Sequence, residues 1–244
     1  MSKQDALISV RELHKSFPAG RQEIHVLRGL DLEVYAGEML GIVGVSGVGK
    51  STLLQILGGL ESPTSGTVSY GDVNLFRLGN GAKAAFRNRK IGFVFQFHYL
   101  LPEFTALENV MMPLLIGRES PAAAAEKASR LLAEVGLQER LEHKPAELSG
   151  GEQQRVAMAR ALVTDPDVVL ADEPTGNLDG PTGRAIHHLL REINRQKGTT
   201  FVIVTHNEEL AALMDRVVRL SDGRVQTVRG ISGSVSTPVG QEKA

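Results

Sequence analysis

Apolar and polar positions along the chain follow two periodicities, and together they predict an α/β fold. Four short runs are apolar at nearly every position, as strands buried on both faces require. They lie at 39–43, 91–95, 168–171 and 201–204. Helical segments are predicted between and beside them, at 52–57, 122–135 and 181–196. Strands that alternate with helices in this way predict a mainly parallel sheet with helices packed against it.

The regions around this pattern have a different character. Residues 5–40 contain β-type segments at 7–10 and 30–34 with a turn-rich stretch between them, which predicts an N-terminal β subdomain. Residues 97–156 are mainly helical and interrupt the alternating pattern, although Pro113 is predicted to break the apolar run there. The segment 229–244 is rich in Ser, Gly and Thr, which predicts a disordered tail.

The segment after the first apolar run carries a phosphate-binding motif. It fits the pattern G-x-x-x-x-G-K-[ST] and comprises Gly44, Val45, Ser46, Gly47, Val48, Gly49, Lys50, Ser51 and Thr52. Glycines let the backbone approach phosphate oxygens, and successive N–H groups at a helix N-terminus form an anion-binding nest. We expect Lys50 to reach the β- and γ-phosphates and the Ser51 hydroxyl to ligate Mg²⁺. A glycine-rich turn that carries a lysine by chance is the alternative, and the flanking strand and helix argue against it.

Polar residues follow the apolar runs directly. They are Gly44, Gln96, Asp172 and His206. Because parallel strands end at one edge of a sheet and ligands gather there, we expect these residues to converge. Asp172 after an apolar run suits a metal site, and the adjacent Glu173 suits a residue that orients water. By itself, His206 is as consistent with a structural histidine as with a phosphate contact.

Composition narrows the class of protein. The chain has 244 residues, of which 42% are hydrophobic and 23% charged, so one sizeable globular domain is expected. Its net charge of −1 provides no overall basic field for nucleic acid, and no nucleic-acid partner is expected. It has no cysteine, which excludes disulfides, zinc–thiolate sites and cysteine nucleophiles. Without an export signal or a membrane-spanning run, we expect a cytoplasmic chain that meets membranes only through partners.

A second motif, at 148–154, resembles the signature of the ATP-binding cassette (ABC) family of transport ATPases. The other motifs follow in the order typical of that family, and the resemblance extends over residues 5–228. It implies a P-loop NTPase (RecA-like) core with an antiparallel N-terminal β subdomain and an inserted α-helical subdomain. The ATPase domain would be 1–228, with its core at 1–96 and 157–228 and its helical insert at about 97–156. Ser149 also has the properties of a helix N-cap, which would direct N–H groups and a helix dipole at an anion.

The resemblance implies roles for individual residues. Phe17, which from the residues alone is a core candidate, would stack on adenine, while Gln96 and Asp172 with Ser51 would contact Mg²⁺. The catalytic residues would be Glu173 as the base that polarises water, His206 facing the γ-phosphate, Lys50 and Gln96. The signature residues that contact ATP held by a second copy would be Ser149, Gly150, Gly151 and Glu152. The dimer interface would include Ser149, Gly151, Asn177, Leu178 and Asp179.

Part of the sequence resembles a narrower group, the ATPase subunits of bacterial lipoprotein-releasing systems. The resemblance lies in 95–110, 113–117 and 171–179. It implies a peripheral protein at the cytoplasmic face of the inner membrane, with inner-membrane subunits docking near 97–116. ATPases of macrolide-export-type or cell-division-type complexes share nearly all these motifs and are the first alternative. The alternative of another class, a soluble ABC ATPase in DNA repair or translation, usually has a long coiled-coil insertion or two cassettes.

Overall fold

Two β-sheets organise the computed structural model, which describes residues 6–20 and 22–229. The strands are β1 (Ala6–Ala19), β2 (Gln22–Tyr35), β3 (Met39–Val43), β4 (Ser65–Tyr70), β5 (Val73–Asn74), β6 (Ile91–Val94), β7 (Val168–Asp172), β8 (Thr200–Val204), β9 (Arg216–Ser221) and β10 (Arg224–Arg229). An antiparallel sheet has the order β2-β1-β4-β5, and a second sheet has the order β10-β9-β3-β8-β7-β6. The first sheet matches the predicted N-terminal β subdomain.

The second sheet is parallel except at one edge. β3 runs parallel to both β8 and β9, and β7 runs parallel to both β8 and β6. Only the pairing of β10 with β9 is antiparallel within this sheet, as far as the described residues extend. The carboxyl ends of β3, β8, β7 and β6 therefore lie side by side, which is the edge where the predicted site residues follow their strands.

Helices cover both faces of the parallel sheet. They are α1 (Lys50–Leu57), α2 (Asn80–Lys90), α3 (Ala106–Ile116), α4 (Pro121–Glu134), α5 (Gly150–Leu162), α6 (Gly180–Lys197) and α7 (Glu208–Ala212). Successive residues of β7 alternate between two cores because strand side chains point to opposite faces. Val168 and Leu170 pack with α1 and the antiparallel sheet, whereas Val169 and Ala171 pack with α5 and α6.

The helical insert is built from α3, α4 and α5, which contact one another. α3 begins at a capping box in which Thr105 and Glu108 satisfy each other's backbone N–H groups. α4 begins after Ser120, with Pro121 at its first position, where the missing N–H costs no helix hydrogen bond. α5 continues without a break past residue 156, the predicted end of the insert, so this helix connects the insert to the core.

Two expectations are wrong in detail. Pro113 does not end the apolar segment, because α3 runs through it. A proline near the end of a helix removes one backbone hydrogen bond, and the buried Val110 and Leu114 keep the helix packed against the core. Phe17 lies within β1, opposite Ile24 of β2, and not in a turn. The strand is irregular there, with a register shift between Lys15 and Ser16, so its pattern is not that of a regular strand.

Among residues 6–20 and 22–229, no helix is long and apolar enough to cross a membrane. Of the tail predicted to be disordered from residue 229, only Arg229 belongs to the described residues, as the last residue of β10. The remainder of that predicted tail lies outside them.

Candidate functional site

The phosphate-binding loop joins β3 to α1 and requires glycine at two positions. Gly49, the N-cap of α1, has a φ of +106°, and a Cβ there would lie 2.5 Å from Cγ1 of Val26. At Gly44 a Cβ would lie 2.5 Å from the backbone oxygen of Leu220. A side chain at either position would therefore displace the loop from its place between the two sheets.

The start of α1 is open to an anion. Among the residues that the structure describes, no side chain caps its first turn, and none of the residues in that turn is acidic. The N–H groups at this end are thus available to a ligand, where the helix dipole favours negative charge. Lys50 adds a positive charge above the loop, because its Nζ donates to the carbonyl oxygens of Gly44 at 2.9 Å and Val45 at 3.0 Å.

Asp172, the last residue of β7, lies next to the first turn of α1. Its carboxylate interacts with the Ser51 hydroxyl. Burial raises the pKa of Asp172, and the charge of Glu173 raises it further, whereas the Ser51 hydrogen bond and the Lys50 charge oppose the increase. A buried carboxylate in such a position gains from a bound cation, which would stabilise its charged form.

The donor atoms at this edge fit magnesium. The Ser51 hydroxyl, the Asp172 carboxylate and the Gln96 side-chain amide supply oxygen ligands, which Mg²⁺ prefers. Within residues 6–20 and 22–229, no group of three or more His, Cys, Asp or Glu residues forms a complete metal site. The set therefore suits a magnesium ion that takes its other ligands from water and substrate phosphates.

Glu173 is held by its neighbours at the end of β8. Its Oε1 lies 2.7 Å from Nδ1 of His206, and its Oε2 accepts from the Thr205 hydroxyl at 3.2 Å and from the His206 backbone N–H at 3.3 Å. The Glu173 side chain is 14% exposed, whereas that of His206 is 72% exposed. Glu173 has a φ of +46°, an uncommon conformation for a residue other than glycine and one that is concentrated at functional sites.

Sequence reasoning missed Thr205 as a member of this cluster. It is fully buried, and besides its bond to Glu173 its hydroxyl accepts the Asn207 backbone N–H at 3.0 Å. The available signal was its place directly after an apolar strand, shared with His206. Both residues at the end of β8 thus bind the same carboxylate.

Gln96 is paired with the loop after β7. Its Nε2 donates to Oδ1 of Asn177 at 3.1 Å, and Nδ2 of Asn177 donates to the Gln96 carbonyl at 2.9 Å. The close approach of Gly176 supports the pairing, since a Cβ there would lie 3.1 Å from Gln96 Nε2. The residue predicted to contact Mg²⁺ and a residue predicted for the dimer interface are therefore direct neighbours.

The signature segment begins α5 with a closed capping box. The Ser149 backbone N–H donates to Glu152 Oε2 at 2.8 Å, and the Ser149 hydroxyl donates to the same oxygen at 2.9 Å. Arg140 donates to the other carboxylate oxygen at 2.9 Å. The bonds from the Ser149 backbone, Arg140 and the Ser149 hydroxyl lower the pKa of Glu152 to about 2. Ser149 is thus an N-cap, as predicted, but its hydroxyl is already hydrogen-bonded to the Glu152 carboxylate.

The signature segment lies beside the predicted interface loop of the same chain and apart from the phosphate-binding loop. A Cβ on Gly150 would lie 3.5 Å from Cδ2 of Leu178, and one on Gly151 would lie 2.5 Å from Cγ2 of Thr182. Asp179 caps α6 by accepting the Thr182 N–H at 2.9 Å. Among the described residues, no hydrogen bond joins 149–152 to the loop at 44–52.

Phe17 lies on the antiparallel sheet rather than at the edge of the parallel sheet. Its ring is half-buried, and Lys15 Nζ is 4.5 Å from the ring centroid, over its face. A planar ligand therefore has only the other face of this ring to stack on.

Comparison with known proteins begins with sequence. Residues 27–176 match a family described as ABC transporter. The "Lipoprotein-releasing system ATP-binding protein LolD" of Geobacter metallireducens is 59% identical over 90% of this chain and 98% of its own. The LolD of Myxococcus xanthus is 55% identical over 90% of this chain and 98% of its own. These relatives give no support to the macrolide-export, cell-division or soluble alternatives.

Solved structures are similar as well. The ATP-binding cassette MJ0796, in a dimeric post-hydrolysis state bound to ADP and Pi, superimposes with a TM-score of 0.83. It is 39% identical, and the match covers 91% of this chain and 99% of the other. A second dimeric structure of MJ0796, described as a bacterial ABC transporter cassette, also has a TM-score of 0.83. The predicted P-loop NTPase fold, with its antiparallel and helical additions, is thereby confirmed.

Proposed function

This chain belongs to the ABC transporter family and hydrolyses ATP, and on that basis we propose that it powers the release of lipoproteins from the inner membrane. The observation that carries this proposal is the likeness to LolD proteins over nearly the whole of both chains. A match confined to the shared ATPase motifs would not distinguish one transporter from another. The proposed place of action is the cytoplasmic face of the inner membrane.

ATP would bind at the open start of α1. The loop amides and Lys50 would hold the β- and γ-phosphates, and the free face of Phe17 would stack on the adenine. Ser51, Asp172 and Gln96 would hold a magnesium ion, which when bound supplies charge neutralisation at the phosphate oxygens. Phosphoryl transfer to water depends on such positioning and charge stabilisation more than on covalent catalysis.

Glu173 would act as the base that orients and polarises the attacking water. Its contacts with Thr205 and His206 fix the carboxylate at the end of β7, so little reorganisation is needed when the water is activated. His206 is exposed beyond Glu173, and its ring would face the γ-phosphate. Because it also hydrogen-bonds to Glu173, it would link the base to the phosphate that leaves.

A second copy of the chain would complete the site. Within one chain the signature residues 149–152 form no hydrogen bond to the phosphate-binding loop, among the contacts of the described residues. Two copies facing each other would bring the Ser149 segment of each onto the ATP of its partner, with 177–179 between them. The dimeric state of MJ0796 supports this arrangement by similarity.

Substitution of the base tests the hydrolytic part of the proposal. Glu173→Gln keeps the size of the side chain and one oxygen acceptor but removes the basic carboxylate. We therefore expect ATP binding to be retained. Turnover measured by phosphate release should fall about 10²–10⁴-fold, the usual contribution of a general base. Turnover at the wild-type rate would refute the assignment of Glu173.

Membrane subunits would dock on the exposed apolar residues that follow Gln96. Their exposed fractions are 62% for Phe97, 65% for Tyr99, 40% for Leu101, 37% for Phe104 and 65% for Ile116. Beside them is an open groove of about 400 Å³ whose apolar lining includes Phe93, Phe95 and Pro113. Such a surface suits an amphipathic helix of a partner.

Charge introduced on this surface tests the docking proposal. Leu101→Glu is expected to abolish co-purification with the membrane subunits, because binding would bury an unpaired carboxylate. Val73→Glu is the matched control, since Val73 is 38% exposed on β5, at the edge of the antiparallel sheet. Equal recovery of the membrane subunits with both variants would exclude docking at 97–116.

A further inference from the structure

The segment after Gln96 presents two different faces. In the stretch 97–101, here called the strap, Phe97, Tyr99 and Leu101 are exposed, whereas His98 and Leu100 are half-buried. The exposed rings form a connected group, with centroids 6.4 Å apart for Phe97 and Tyr99. The strap therefore offers aromatic side chains to the outside while its backbone and alternate residues face the protein.

Arg160, near the end of α5, holds the backbone of the strap. Its NH2 donates to the His98 carbonyl and its NH1 to the Tyr99 carbonyl, each at 2.7 Å. Two parallel bonds from one guanidinium fix both position and orientation. Tyr99 has a φ of +46°, a conformation that a non-glycine residue keeps only when its surroundings impose it.

Gln153 connects the same strap to the start of α5. Its side chain interacts with that of His98 and raises the pKa of the imidazole, against the larger lowering effect of burial. Its Nε2 also donates to the carbonyls of Pro145 at 2.9 Å and Leu148 at 3.1 Å, in the turn that ends just before Ser149. Gln153 and Arg160 are seven residues apart, which places them two turns apart on one face of the helix.

We infer that Gln153 and Arg160 are positioning residues that couple the strap to Ser149. Pressure on the exposed rings of the strap would move α5 as a body through Arg160, and would move the turn before Ser149 through Gln153. Because coupling is reciprocal, engagement of Ser149 by the ATP of a second copy must also shift the strap. This inference rests on the proposed function, in which the strap meets the membrane subunits and Ser149 meets the partner's ATP.

Reciprocity allows a test with the ATPase chain alone. The chain has no cysteine, so Phe97→Cys accepts a single environment-sensitive fluorophore on the strap. In a Glu173→Gln background, addition of ATP with Mg²⁺ is expected to change the fluorescence as the chains associate. Adding Arg160→Met should reduce the amplitude of this change by about tenfold, within the range by which mutations along a coupling network act.

Arg155 provides a matched control on the same helix. It is also half-buried, and its NH1 donates to a backbone carbonyl, that of Val135, at 2.9 Å. Val135 follows α4 in the helical insert and is not part of the strap, so Arg155→Met should leave the fluorescence response unchanged. Arg160→Lys serves if the methionine variant does not fold. It keeps the charge but lacks the planar fork that reaches both carbonyls, so its response should also fall.

Self-association is measured by sedimentation in the same samples. This measurement distinguishes failure of the proposed function from failure of the proposed coupling. If the Glu173→Gln chain does not associate with ATP, the proposed sandwich is wrong and this inference falls with it. If it associates but the strap label does not respond, or responds equally with Arg160 and with its substitutes, the proposed function stands and the coupling is refuted. Loss of the response in the Arg160 variants but not in Arg155→Met, with association intact, supports it.

Discussion

The N-termini of α1 and α5 are both predicted to meet phosphate, yet they are built in opposite ways. α1 begins at Gly49 with an uncapped first turn, among the described residues, and with Lys50 beside it. α5 begins at Ser149, whose hydroxyl and N–H are both bonded to the carboxylate of Glu152. The first is a preformed anion site, whereas the second carries a negative charge of its own where an anion would approach.

This difference suggests a division of labour. The α1 site can bind a triphosphate within one chain, because its donors have no competing side chain. At α5, a phosphate would have to compete with Glu152 for Ser149, so we expect binding to this segment alone to be weak. The signature segment is then suited to detect ATP that a second copy already holds, and not to recruit ATP itself.

One loop connects the two regions. It begins at Glu173, which Thr205 and His206 hold, and ends at Asp179, the cap of α6 beside the signature segment. Thr175 in this loop is hydrogen-bonded at 3.0 Å to Nε2 of His187, and both side chains are buried. This bond holds the loop against α6, so the proposed base and the proposed interface residues are attached to the same helix.

The largest expected effect is at the open start of α1. Gly49→Ala should lower the free energy of unfolding by roughly 2–4 kcal/mol, from left-handed strain and from overpacking against Val26. Gly81→Ala in α2 is the control, because its Cβ meets no atom within 4 Å and its φ is not left-handed. That change should stabilise by about 0.4–1 kcal/mol. Equal denaturant midpoints for the two variants would show that the loop does not need glycine at residue 49.

The second effect concerns His187, whose hydrogen bond with Thr175 holds the loop between the two regions. Burial lowers the pKa of His187; the charge of Glu209 opposes this, and His188 and Arg184 add to it. The folded chain therefore binds fewer protons at His187 than the unfolded chain does, so the free energy of unfolding should fall as pH decreases below about 6.5. One proton changes the free energy of unfolding by at most ~1.4 kcal/mol per pH unit. This pH dependence disappears below the folded-state pKa of His187, where both states bind the proton.

Urea titrations between pH 5 and pH 8 measure this slope. His187→Asn should flatten it, while His188→Asn, at the exposed neighbouring position, should leave it in place. Burial also lowers the pKa of His98, so part of the slope is expected to remain in both variants. An unchanged slope in His187→Asn would show that the His187 imidazole does not titrate in this way.

The smallest effect should come from the closed start of α5. Glu152→Gln retains an oxygen for the capping box but removes the negative charge, so ATP-driven association should strengthen about 2- to 5-fold, as expected for 0.3–1 kcal/mol at a helix N-terminus. Glu108→Gln, in the equivalent capping box of α3, is the control and should not alter association. Weaker association in Glu152→Gln would indicate that the carboxylate helps the contact and does not oppose it.

The sequence predicts the parallel sheet and its site edge well. The runs at 39–43, 91–95, 168–171 and 201–204 correspond to β3, β6, β7 and β8, because a strand buried on both faces is apolar throughout. The convergence of residues after these strands follows from the parallel arrangement alone. β9 is not among these runs, since Arg216 and Arg219 interrupt its apolar pattern at an outer position in the sheet.

Such patterns do not predict contacts between side chains that are distant in sequence. The place of Ser149 as an N-cap and its pairing with Glu152 three residues later follow from local sequence, but the contact of Arg140 with Glu152 depends on how the insert folds against α5. The pairing of Gln96 with Asn177 likewise depends on strand order. Local rules therefore predicted candidate residues for the site, whereas the pairing of their side chains needed the three-dimensional arrangement.

The central claim is that two copies of this chain enclose ATP between the phosphate-binding loop of one and the Ser149 segment of the other. Sedimentation velocity of the Glu173→Gln chain, with and without ATP and Mg²⁺, tests it most directly. We predict a monomer without ATP, a dimer with ATP, and loss of that dimer when Lys50→Ala or Ser149→Ala is added. A chain that remains monomeric with ATP bound, or that dimerises equally without ATP, would contradict the account.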